Sequence, residues 1–198
     1  MKTLLALLLL LIPVSLLSQN FDIKTLRSIQ SPEDQPSDDF FRAMSNSNVY
    51  VYTGVPITMA IVGLAKKDND ILRDAASLAA GTAVTYGIVL GLKYSVKRDR
   101  PYVTYSDIVN KSGHDYDDSY SFPSGHTATA FSTATGLSLD YPKWYVIVPS
   151  YLFAGTVAYS RMELGVHYPT DVLAAAVIGS GCAWLSHAVN KKLGSKSH

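Results

Sequence analysis

The stretch AASLAAGTAVTYGIVLGL, from Ala75 to Leu92, runs without a charge straight into KYSVKRDRP, from Lys93 to Pro101. Its apolar part shows no alternation and is too long for an ordinary strand, so it reads as a helix buried on most sides. The cations that follow sit at that helix's end. Lys93 and Arg100 are seven positions apart, nearly two helical turns, which predicts that both leave one helix face. Pro101 disfavours helical backbone at Arg100 and is expected to end the helix there.

Four more apolar segments share this character: Val49–Ala65, Thr127–Leu139, Trp144–Tyr159 and Val172–Val189. The fold expected is all-α, a bundle of about five core helices with its site at one end. Several segments lie near the lower limit of about 17 residues for crossing a bilayer. A soluble bundle with buried helices is therefore the alternative, and a mean hydropathy of only +0.11 favours it. Two patterns favour the membrane. Tyr50, Tyr52, Trp144, Tyr145, Tyr151 and Tyr159 lie near segment ends, where interfacial aromatics belong. With Val49 starting outside, Lys66, Lys67, Lys143, Lys191, Lys192 and Lys196 all fall inside, as the positive-inside tendency requires. The stretches 93–123 and 161–171 then share the outer side, and their cations need another purpose.

The chain of 198 residues suits one domain, with 17% charged residues and a formal charge of +1 that gives no electrostatic reason to expect nucleic-acid binding. A single cysteine, Cys182, precludes an intrachain disulfide or a multi-cysteine zinc site, and its apolar setting reads as a buried, inert thiol. Met1-Lys2, the apolar run Leu4–Leu17 and Ser18 describe a secretory signal or an uncleaved anchor over residues 1–18. Residues 19–47 read as an exposed polar lead-in with a short helix near Phe40–Met44, residues 48–190 as the helical domain, and residues 191–198 as a basic tail.

Chemistry concentrates in three stretches. The first is Lys93 to Pro101, where the planar fork of arginine suits phosphate. The second is Pro123-Ser124-Gly125-His126. Here Ser124 can cap the next helix, Gly125 lets the backbone approach a ligand, and helix-end N–H groups bind phosphate oxygens. The third holds Ser160, Arg161, His167 and Asp171. His167 and Asp171 are four apart, on one face if the helix already includes His167, and a carboxylate behind a histidine fixes its tautomer and stabilises its charged form. Each stretch alone also fits an ordinary helix end. Together they assemble Lys93, Arg100, Arg161, a helix N-terminus, His126 and His167 at one end of the bundle.

The ordered pattern Lys-x6-Arg-Pro, Pro-Ser-Gly-His and Ser-Arg-x5-His-x3-Asp resembles the type 2 phosphatidic acid phosphatase superfamily, which also contains class A acid phosphatases and vanadium haloperoxidases. The resemblance covers Lys93 to Asp171 with every motif position present. It implies a metal-independent, cofactor-free phosphatase in which His167 is the nucleophile, Asp171 its partner and His126 the general acid. Lys93, Arg100, Ser124, Gly125 and Arg161 would bind the phosphate. A lipid phosphate or pyrophosphate at a bacterial cell envelope, with the site facing the periplasm, is the substrate and setting expected. The alternatives are a soluble periplasmic acid phosphatase, a vanadate-dependent haloperoxidase and a non-catalytic lipid-binding membrane protein. Asp115, Asp117 and Asp118 lack the glycine and glutamate of a calcium loop and read as a solvated turn. His114, His187 and His198 have no partners in sequence that suggest catalysis, and Lys97 and Arg98 either line the approach or face water.

Overall fold

The computed structural model describes residues 19–31, 33–114 and 120–194. The signal or anchor, the triplet Asp115, Asp117 and Asp118, and Lys196 and His198 lie outside the described residues. In chain order the helices are α1 (Gln19–Ile29), α2 (Asp38–Lys66), α3 (Asn69–Val96), α4 (Pro101–Thr104), α5 (Gly125–Asp140), α6 (Trp144–Glu163) and α7 (Pro169–Gly194). The described residues contain helices and no strands. The expected five-helix bundle is α2, α3, α5, α6 and α7.

Local chemistry sets several ends. Asp68 caps α3 by accepting from the Asp70 and Ile71 amides. Ser124 caps α5 through Thr127 N. Lys97 is left-handed at the end of α3 (φ 52), and its N–H donates to the carbonyl of Lys93. That cap stops the helix at Val96, before Pro101 can act. Lys93 and Arg100 therefore do not share a continuous helix face, as their spacing suggested; Arg100 is extended (φ −75, ψ 155) and precedes α4.

The central element is α5, which contacts α2, α3, α6 and α7. It buries almost only small side chains, including Ala128, Ala130, Ser132, Ala134 and Gly136. Small residues let helix backbones approach closely. At Gly179 of α7 an added Cβ would stand 2.1 Å from the Ala128 carbonyl oxygen. Large apolar side chains instead face outward, among them Ile57, Ile61, Leu64, Val84, Leu152, Val177 and Trp184. The segments Asp38–Lys66, Asn69–Thr104 and Pro169–Gly194 are long and apolar enough to cross a bilayer.

The lead-in departs from its expected exposure. Ile23 and Leu26 on α1 pack with Ile108 and Tyr168 in a small core, and Asp22 is fully buried. Helix α2 also begins at Asp38, well before Val49, and absorbs the short helix expected near Phe40–Met44. Cys182 is only half-buried.

Candidate active site

The starts of α2, α5 and α7 and the ends of α3 and α6 meet around a cavity of about 420 Å³. Lys93, Arg100, Gly125, His126, Arg161 and His167 all line it, and among the described residues none of the lining is a carboxylate. Arg100 and Arg161 are almost completely buried. Burying a guanidinium is costly unless it is paired and hydrogen-bonded. Arg100 Nη1 donates to the Val166 carbonyl at 2.9 Å, Arg161 Nη1 donates to the Ser45 hydroxyl, and Lys93 Nζ donates to the Tyr120 carbonyl. The cavity thus gathers three basic side chains.

Ser124 and Asp171 stand behind the cavity wall. The Ser124 hydroxyl is buried and accepts from Thr127 N and from Thr127 Oγ1 at 3.0 Å, leaving it one proton to donate. Its amide donates to the Asp171 carbonyl, fastening the α5 start to the α7 start.

His167 lies just before α7, so its link to Asp171 does not follow from a shared helix face. Asp171 is the third residue of α7, and its Oδ2 accepts from the Tyr168 amide at 2.9 Å. This reach-back resembles a capping box and turns the carboxylate toward the preceding residues. His167 Nδ1 stands 3.6 Å from Asp171 Oδ2, longer than a hydrogen bond. On the other side of the ring, Arg100 Nη1 is 3.4 Å from Nε2. A guanidinium only donates, so Nε2 carries the lone pair and the ring proton sits on Nδ1, facing Asp171. Burial first, then Arg100, Lys93, Arg161 and His126, hold the His167 pKa well below its ordinary value of 6.5. The ring is a neutral imidazole whose Nε2 lone pair faces a cationic cavity.

Three polar residues behind or beside this cavity, Arg98, Asn48 and Asp22, lie outside the site residues expected from the motifs. Arg98 does not face water: Nη1 donates to Asp171 Oδ1 at 2.7 Å and to Thr170 Oγ1 at 2.8 Å, while Nη2 donates to Asp22 Oδ2 at 2.6 Å. Its guanidinium also stacks 3.8 Å from the centre of the Tyr168 ring. Asn48 lines the cavity and donates to the His126 carbonyl and to Thr129 Oγ1, at 3.1 and 2.9 Å. Its buried Oδ1 has no partner among the described residues. The only hint of these roles was the polarity of Asp22 and Asn48 beside apolar neighbours. Of the other histidines, His187 pairs with Asp140 (2.7 Å) at the opposite end of the bundle, and His114 approaches Asn46 Oδ1 at 3.4 Å on the surface.

A family model described as PAP2 superfamily matches residues 74–195. The chain belongs to the PAP2 superfamily. The resemblance carried by the three motifs is thereby borne out, and the matched region holds all of them. The chain is 32% identical to an undecaprenyl-diphosphatase of Sulfolobus acidocaldarius over 68% of its own length and 62% of the relative's. It is 30% identical to a lipid A 1-phosphatase of Porphyromonas gingivalis over 85% of its length and 35% of the relative's. The chain thus spans less than two thirds of either relative. Its fold is similar to the crystal structure of Aquifex aeolicus LpxE, with a TM-score of 0.66 at 24% identity, covering 85% of this chain and 95% of that one. In this PAP2 chain α1 and the whole of α2 lie before the matched region, yet both contribute polar groups to the site's surroundings.

Proposed function

We propose that this PAP2 protein is a phosphatase that hydrolyses a phosphate monoester or pyrophosphate of a lipid through a phosphohistidine. The observation that carries this reading is a closed set of side chains. Lys93, Arg100 and Arg161 face one cavity whose described lining holds no carboxylate, together with a neutral His167 and with His126. Such a set attracts a tetrahedral anion and presents it with a nucleophile.

In the proposed reaction His167 Nε2 attacks phosphorus, and the N–P bond forms as the bond to the leaving oxygen breaks. His126 gives the leaving oxygen a proton. It then takes one from water, which attacks the phosphohistidine, releases phosphate and restores the imidazole. Lys93, Arg100, Arg161, the Ser124 hydroxyl and the Gly125 amide hold the oxygens. Phosphoryl transfer needs mainly positioning and charge stabilisation, and these three cations supply charge that a metal supplies elsewhere. Asp171 stabilises the ring as it becomes positive. Its 3.6 Å separation from Nδ1 suits a site whose hydrogen bonds tighten when phosphate arrives.

A lipid substrate is supported by an apolar groove of about 580 Å³ between α2 and α3, lined by Pro56, Ile57, Leu72, Ala75 and Ala79. It shares Tyr52, Tyr86 and Thr129 with the cationic cavity, so a headgroup in one continues into the other. The names of the diphosphatase and lipid A phosphatase relatives point to the same class. The alternation of the five bundle helices puts Lys66, Lys67, Lys143, Lys191 and Lys192 at the end opposite the cavity. That charge supports a membrane orientation with the site away from the cytosol.

The test is phosphate release by purified protein across lipid phosphates and soluble esters. Release from a lipid phosphate, abolished in His167→Ala, is expected. Wild-type protein that releases phosphate from none of them, or a His167→Ala variant as active as wild type, would overturn the reading.

A further inference from the structure

We propose that Asp22, on α1 outside the family-matched region, is a positioning residue for the His167–Asp171 pair and acts through Arg98. The inference rests on the phosphatase reading and extends the site to a helix that no motif covers.

Three contacts define the device. Asp22 Oδ2 accepts from Arg98 Nη2 at 2.6 Å and from Thr170 Oγ1 at 2.6 Å, while Oδ1 accepts from Thr170 N at 3.0 Å. Arg98 Nη1 holds Asp171 Oδ1 at 2.7 Å. The Tyr168 amide holds the other Asp171 oxygen, the one facing His167 Nδ1. Asp22 therefore grips both the arginine that orients Asp171 and the residue next to Asp171 in the chain. Both carboxylates have zero side-chain exposure, and the arginine's is 14%.

Charge makes the arrangement more than an anchor. One guanidinium is shared between two buried carboxylates, so Asp22 competes with Asp171 for the charge of Arg98. If Asp22 were neutral, Arg98 would pair with Asp171 alone and cancel its charge. A carboxylate cancelled in this way gives little help to an imidazole that becomes positive during attack, and in a buried setting that loss is weakly screened. Asp22 touches none of the groups that line the phosphate cavity in the described contacts, so its influence falls on turnover and not on anion binding.

The experiment compares full-length wild-type protein with Asp22→Asn, which keeps the shape and the acceptor oxygen for Thr170 N. A lipid phosphate is the substrate and orthovanadate the inhibitor. The expected result is a kcat lower by roughly 10- to 100-fold, the range that outer partners of a functional histidine carry. KM should stay within about threefold of wild type, less than the tenfold that about 1.4 kcal/mol of lost ground-state binding would give, whereas vanadate, which mimics the attacked phosphorus, should weaken along with kcat. Arg98→Lys keeps the charge but cannot bridge two carboxylates as a fork, and it should show the same split. Combining Asp22→Asn with Arg98→Lys should cost little beyond either change alone. Asp22→Glu should recover part of the lost kcat. The proposal is overturned if Asp22→Asn turns over like wild type. It is equally overturned if both single variants raise KM as much as they lower kcat, because that pattern describes a residue that only holds the shape of the binding site. A wild-type protein without phosphate release removes the phosphatase reading itself, an outcome distinct from an active wild type with an equally active Asp22→Asn.

Discussion

As the proposed nucleophile, His167 would have to satisfy two opposed demands, and its surroundings offer each a different partner. Attack requires a free lone pair on Nε2, and the positive ring that follows requires stabilisation at Nδ1. Arg100 Nη1, 3.4 Å from Nε2, fixes the tautomer, and Asp171 waits on the other side. The pH dependence follows from the sign of the shift. A pKa held well below 6.5 keeps the ring unprotonated as pH falls through 6.5. Because kcat/KM reports the free enzyme, protonation of His167 should add no acid limb centred at or above 6.5, and a limb there that disappears in a His167 variant retaining any activity would contradict the assignment. Asp171→Asn should lower kcat by about a hundredfold or more, since the orienting carboxylate of such pairs carries effects of this size or larger; a steady-state assay that finds less than a fivefold change, well under that ~100-fold, would remove Asp171 from the mechanism. At this scale the sequence was readable wherever motif spacing is fixed by a helix start or a turn, as for Ser124, His126, Arg161 and His167. It left Arg98 either lining the approach or facing water and did not single out Asp22 or Asn48, because their partners lie 72 to 148 positions away and only the assembled bundle brings them together.

Helices here are placed by chemistry at their ends and by small residues along their sides. Apolar runs located all five bundle helices, but their limits depend on caps that hydropathy does not register. Lys97 in the left-handed conformation ends α3 four residues before Pro101 would, and the intervening turn, rather than a helix face, delivers Arg100 to the cavity beside Lys93. Similarly, α1 was taken for exposed chain because its apolar residues are few; two of them, Ile23 and Leu26, are enough to seat it. The close pairing of α5 and α7 yields a prediction at this scale. Both helices carry site residues at their starts, and at Gly179 a Cβ would meet Ala128 O at 2.1 Å and Ser132 N at 3.0 Å, both backbone atoms of α5. Gly179→Ala should therefore separate the helices and lower stability by about 1–3 kcal/mol, the usual cost of overpacking. Thermal unfolding in detergent should show a lower Tm and reduced turnover. Gly181→Ala, where nothing lies within 4 Å, is the matched control and should leave both near wild type.

For the molecule as a whole, the distribution of polar and apolar surface carries the argument. Small residues fill the interior, large apolar ones point outward, and the cations gather at one end in a cavity that opens into an apolar groove. Composition left a membrane bundle and a soluble one both open, because the mean hydropathy averages the greasy flanks of α2, α3 and α7 with the polar site end. The arrangement in space separates these regions. Activity should then survive a chelator, with full phosphate release in excess EDTA, because Lys93, Arg100 and Arg161 provide the charge; loss that magnesium restores would refute this. The groove permits a sharper test. Ala83 lines it beside Tyr86, at the junction with the cationic cavity. Ala83→Phe would fill the space through which a lipid tail must leave the headgroup site. Each buried methylene is worth about 0.8 kcal/mol, so displacing even two would lower the ratio of kcat/KM for a long-chain lipid phosphate to that for a short soluble ester by roughly tenfold. If that ratio stays constant while phosphate release persists, the tail does not run between α2 and α3, and the headgroup must enter the cavity from the loop side instead.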